Sequence, residues 1–175
     1  MKKKKTDFES RFWSGSRKHS ATGLLEAFFQ FNNLTEVKET LTIMVQCSVQ
    51  KQTRIRKDPA EVFHLYLSLR SLVRAFFLIS KKAKKGKFKV PNKNHSQNPT
   101  FLSAEECQNP VPIFRSAFNI CSLQDFDAFL SAMVYFSLGS STCDEEQKII
   151  IPYLQLMKML DAAWLIVERV SKESN

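Results

Sequence analysis

The chain has only four glycines in 175 residues, too few and too scattered for the clustered glycines that wrap a phosphate. Its four cysteines, Cys47, Cys107, Cys121 and Cys143, form no Cys-x-x-Cys pair. The three histidines, His19, His64 and His95, stand at no metal-ligand spacing, so neither a metal nor another cofactor is expected. Nucleophile elbows are missing. Apolar runs stop short of the roughly 18 uninterrupted residues a membrane span takes. The opening, "MKKKKTDFESRFW", meets Asp7, Glu9 and Arg11 where a secretion signal has its apolar stretch. Without that signal the cysteines are expected to stay reduced, with Cys47 and Cys121 as small core residues among apolar neighbours. Paired carboxylates occur only in "CDEEQK", where acids near a helix start complement its dipole. Together these absences predict a cytoplasmic protein with no membrane association, no small-molecule substrate and no enzymatic activity.

What is present is bulk apolar matter: 43% of residues, including fifteen phenylalanines. That suits one globular domain built of regular elements. "LLEAFFQF" reads as a short apolar helix. Asn33 and Glu36 then spell a helix cap, after which Leu34, Val37, Leu41, Met44, Val45 and Ser48 recur at three- and four-residue steps. Asp58 and Pro59 open a second, longer helix predicted to run to about Lys85. Two helical rows lie along it: Leu65, Leu69, Leu72, Phe76 and Ile79, and beside them Phe63, Tyr66, Val73 and Phe77. Ser103 and Glu106 form a capping box for a short helix that Pro110 brings near its stop.

From residue 118 the pattern restarts. Moving along by 89 residues places 29–49 on 118–138, with Phe29, Leu34, Leu41, Met44, Val45 and Ser48 meeting their own kind. The cap returns as Ser122 and Asp125. A shift of 87 places 63–79 on 150–166, matching Tyr66, Leu67, Leu69, Ala75, Leu78 and Ile79. These make twelve identities in 38 positions, against about four from composition at roughly one in ten. The reading is therefore an all-α protein of two sequence-related αα-hairpins, packed as a pseudo-two-fold four-helix bundle with extra short helices. Residues 1–19 are assigned to a basic N-terminal tail and 20–175 to a single helical domain. Within it lie repeat 1 (24–83), a basic linker (84–111) and repeat 2 (112–171).

Charge separates the two ends of the chain. The first hundred residues carry 21 bases and seven acids, whereas 101–175 carry five bases and ten acids. Beyond the four lysines at the start, the bases gather in the first hairpin loop (Lys51, Arg54, Arg56, Lys57) and the linker (Lys81, Lys82, Lys84, Lys85, Lys87, Lys89, Lys93). Arg70 and Arg74 join them as an i, i+4 pair, and Phe88 is placed to stack on a base. Clustered cations with a stacking ring suit a nucleic acid, DNA or RNA, held without sequence specificity. The alternative is a protein-protein adaptor or regulator that forms homo-oligomers through its oppositely charged halves. Asp161 stands at the place equivalent to Arg74; if the two approach across the pseudo-axis, they form an internal pair instead of a binding site.

Overall fold

The computed structural model describes residues 5–50, 54–84 and 101–171. In chain order the elements are β1 (Thr6–Asp7), α1 (Arg11–Ser14), β2 (Lys18–His19), α2 (Ala21–Phe31), α3 (Leu34–Val49) and α4 (Pro59–Lys84). They continue with α5 (Ala104–Gln108), α6 (Val111–Ile120), α7 (Leu123–Leu138) and α8 (Gln147–Ser171). Helix dominates, and the two strands pair antiparallel, with Thr6 opposite His19.

Local chemistry sets most of these boundaries. The Thr35 and Glu36 amides donate to Asn33 Oδ1 at 2.9 and 3.3 Å, starting α3. Reciprocal capping boxes join Ser103 with Glu106 at α5 and Ser122 with Asp125 at α7. At α4 the Ala60 amide donates to Asp58 Oδ1 at 2.8 Å, and Pro59 opens the helix, where its missing N–H costs nothing. Sequence reading passed over α6, whose Pro112 lies in the first turn and is tolerated there for the same reason.

The core is one continuous cluster drawn from all the longer helices. In α4 the row Leu65, Leu69, Leu72, Phe76 and Ile79 is buried throughout, as the spacing predicts. The second row behaves differently. Val73 is buried, Tyr66 and Phe77 are half-buried, and Phe63 faces outward. The space they would need is taken by Ser68 and Ser71, which turn inward and donate to the carbonyls of Leu65 (2.9 Å) and Leu67 (3.0 Å). Both α4 and α8 are long and apolar enough, by length and composition alone, to cross a membrane. They are also the central helices of this core, with 56% and 61% of their most apolar stretches buried.

Residues 6–19, read from sequence as part of a basic tail, instead cover the core. Phe8 and Trp13 are buried, and Trp13 Nε1 donates to Ser71 Oγ of α4 at 3.1 Å. Aromatic surface drives this segment inward against its charge. A similar strap crosses α8, where Lys158 donates to Glu106 of α5 at 3.0 Å. Near the end of α8, buried Arg169 donates to the carbonyls of Gln108 (3.0 Å) and Cys107, satisfying the last turn of α5.

Several packed pairs join the first set of helices to the second, α2 on α8 among them. α4 packs on α6 and α7, and α3 packs on α7 and α8. The Ile55 amide donates to Ser137 O (3.0 Å), and the Cys143 amide donates to Ser48 O (2.8 Å). Lys38 Nζ reaches Asp161 Oδ1 at 2.7 Å, while Arg74 reaches Asp127 Oδ2 at 3.4 Å. The internal Arg74–Asp161 pair is therefore not formed: the two residues lie on α4 and α8 and each turns to the shorter helix packed beside it.

Asp161 is fully buried, and its second oxygen accepts the Phe101 amide at 3.0 Å. Removing a buried partner leaves the other charge desolvated without compensation. Asp161→Ala is expected to lower the unfolding free energy by about 3 kcal/mol, measured by urea denaturation. A loss under about 1 kcal/mol would mean that this pair does not hold the helices together.

Candidate nucleic-acid interface

The loop from α3 to α4 presents its cations because its middle is tied down. Ile55 is buried and hydrogen-bonded to Ser137 O, so in this extended stretch the neighbours Arg54 and Arg56 point outward. Arg54, Arg56 and Lys57 are all exposed, and none forms an ion pair with a described residue.

Along α4, Phe63 and Lys81 are exposed, and Leu67, Arg70, Arg74 and Phe77 between them are half-buried. Their alternating spacings of four and three residues draw one stripe down the helix. Lys81 Nζ lies 4.8 Å over the Phe77 ring, a cation–π contact that holds the ammonium against the helix. Lys82 is half-buried beside it, and Lys84 is the last residue of the helix. A rise of 1.5 Å per residue separates Pro59, at the start of α4, from Lys81 by about 33 Å. The predicted cations are thus strung along one helix and are not gathered into a pocket. Lys51, Lys85, Lys87, Phe88 and Lys89 lie outside the described residues.

At the centre of the stripe, sequence reading missed the partners of the arginines. Arg70 reaches Glu9 Oε2 at 3.3 Å and Asp127 Oδ1 at 3.5 Å. Arg74 reaches Asp127 Oδ2 at 3.4 Å and Glu9 Oε1 at 3.9 Å. Two cations and two carboxylates make a neutral quartet, half open to water: the side chains are 33% (Arg70), 20% (Arg74), 33% (Asp127) and 59% (Glu9) exposed. Spacing within one helix cannot reveal such partners, because Glu9 and Asp127 arrive from distant parts of the chain.

Glu9 is held unusually. Its φ of 58° lies in the left-handed region, which costs a residue with a Cβ about 1 kcal/mol or more. Buried Phe8 and Ser10 flank it, so burial on both sides forces the turn outward. Asp7 Oδ1 steadies it by accepting the Glu9 amide at 2.9 Å, and Arg17 pairs with the other oxygen of Asp7.

A separate cleft of about 730 Å³ opens between α3 and α4, lined by Phe31, Asn33, Glu36, Thr40, Lys57, Glu61 and His64 among others. Eighty-nine residues beyond Val37 and Thr40 stand Phe126 and Phe129, both buried. No group of three or more metal-ligating side chains occurs among the described residues. No family model, curated protein or solved structure matches the chain.

The Asp7 carboxyl is held below its ordinary value of 3.8, first by the Glu9 amide and then by Arg17. A depressed carboxylate contributes stability above its unfolded value and loses it as pH falls through the folded one. The Glu9 amide resonance is therefore expected to titrate with a midpoint below 3.8, and Asp7→Asn should abolish that titration. A midpoint at or above the ordinary value would break the link between Asp7 and the turn.

Proposed function

We propose that the protein is a non-enzymatic binding module that associates with nucleic acid, without sequence specificity, through the α3–α4 loop and the open stripe of α4. The observation that carries this reading is the set of exposed cations in the α3–α4 loop, Arg54, Arg56 and Lys57, together with Arg70, Arg74 and Lys81 on α4. Cations spread over a loop and a long helix suit the regular phosphates of a nucleic-acid strand better than a compact anion. Exposed Phe63, at the start of the stripe, offers apolar surface beside the charges. Contacts made to phosphates alone carry no sequence information, and these cations are read as making only such contacts.

The test is a salt titration against a generic duplex and a single strand. Affinity should fall steeply with salt, and changing Arg54, Arg56 and Lys57 together to Glu should weaken binding at least tenfold at low salt. Each lost phosphate contact should flatten the log–log slope by about 0.7 to 0.9. Binding indifferent to salt, or absent at low salt, overturns the reading. A second reading, an adaptor that oligomerises, draws on exposed Tyr135, Ile150, Ile151 and Leu154 of α7 and α8. It gains if the triple reversal changes only oligomer size.

We also infer that the chain is an internal duplication with pseudo-two-fold packing, each half holding a long helical hairpin and two shorter helices. The supporting observations are paired. Helices α3 and α7 are both 16 residues long and begin 89 residues apart, and α4 and α8 have 26 and 25 residues. The two loop-to-helix bonds, Ile55 to Ser137 and Cys143 to Ser48, join matching positions in exchanged roles. So do the ion pairs: Lys38 corresponds to Asp127 and Arg74 to Asp161, with every sign reversed. A homodimer of the first half would bring Lys38 against Arg74, and one of the second would bring Asp127 against Asp161. Residues 1–92 and 93–175, produced as separate chains, are thus expected to assemble one to one. Stable homodimers of either piece, seen by light scattering, would count against the duplication.

A further inference from the structure

We propose that Arg70 and Arg74 form the phosphate-contact site of the α4 stripe, and that Glu9 occupies it as a built-in substitute for a backbone phosphate. The inference rests on the nucleic-acid reading above and names the place where that reading meets the ligand. The two guanidiniums lie one helical turn apart and both aim at the Glu9 carboxylate, Arg70 at 3.3 Å and Arg74 at 3.9 Å. Two forked cations converging on one monoanion are the arrangement that a phosphodiester oxygen pair also accepts.

The way Glu9 is held distinguishes it from a structural partner. Asp127, on α7, is packed into the fold and binds the arginines from the protein side. Glu9 approaches from the water side, with 59% of its side chain exposed against 33% for Asp127. The backbone beneath it is fastened by buried Phe8, by Trp13 donating to Ser71, and by the Asp7 turn. Its side chain is therefore free to swing aside without moving the strap. The strained left-handed backbone at φ 58° falls on the most exposed residue of the quartet, where water screens ion pairs most. With Glu9 displaced, two arginines and Asp127 leave a net charge of +1 facing outward, matched to one phosphate. The neighbouring Phe77 and Lys81 extend the same surface.

The experiment is duplex binding by the full-length protein, read by fluorescence anisotropy across a salt series. Glu9→Gln keeps the shape and removes the competing charge. It should tighten low-salt affinity by about three- to tenfold and leave the melting temperature within a few degrees, since other contacts anchor the strap. The comparison is Asp144→Asn, which removes one exposed carboxylate elsewhere and should tighten binding less than twofold. In an Arg74→Gln background the gain from Glu9→Gln should shrink to less than twofold. Wild-type binding with no gain from Glu9→Gln overturns the masked site and leaves the broader reading standing. The masked site also falls if Asp144→Asn gives an equal gain, or if the gain survives loss of Arg74. If neither wild type nor Glu9→Gln binds at low salt, the nucleic-acid reading fails and takes the site with it.

Discussion

The fully buried carboxylate of Asp161 ties three distant parts of the chain together. It belongs to α8, it receives the ammonium of Lys38 from α3, and it accepts the backbone amide of Phe101. A group of this kind is costly to bury, and the cost is offset only when each oxygen finds a donor. Lys38 Nζ also lies 4.8 Å above the Phe101 ring, so its charge meets the same residue through a cation–π contact. Apolar burial gives this protein most of its stability but not its register. Discrete polar contacts choose which helix faces fit together: the Asp161 cluster, the Arg74–Asp127 contact and the two loop amides.

Features written locally were legible in the sequence. Asn33, Asp58, Ser103 and Ser122 mark helix starts because a cap depends on a few consecutive residues, and each appears where the spacing placed it. The inner row of α4 was legible for the same reason. Features that depend on which helix lies opposite were not. Phe63 and Phe77 look like core residues by spacing, but Ser68 and Ser71 take the inward positions because their hydroxyls return to their own helix. The first residues looked like a charged tail, although Phe8, Phe12 and Trp13 gave a signal that charge obscured.

The candidate interface was legible only in part. Exposed Arg54, Arg56 and Lys57 followed from the loop composition, whereas the neutral quartet around Arg70 and Arg74 did not. The linear charge imbalance therefore overstates the bare positive charge of the folded surface. Lys38, Arg70 and Arg74 belong to the basic part of the chain, yet each meets a carboxylate from beyond residue 100.

The exchanged signs at Lys38, Arg74, Asp127 and Asp161 bear on the history of such a molecule. If the chain arose by joining two copies, the copies became unequal at two contacts. Each such change acts as a ratchet: once one copy is basic and the other acidic at both sites, neither can be deleted without stranding a charge. Nor can either return to its former state through one substitution, because each intermediate sets like against like. The two halves are then bound to a shared fate as a single gene.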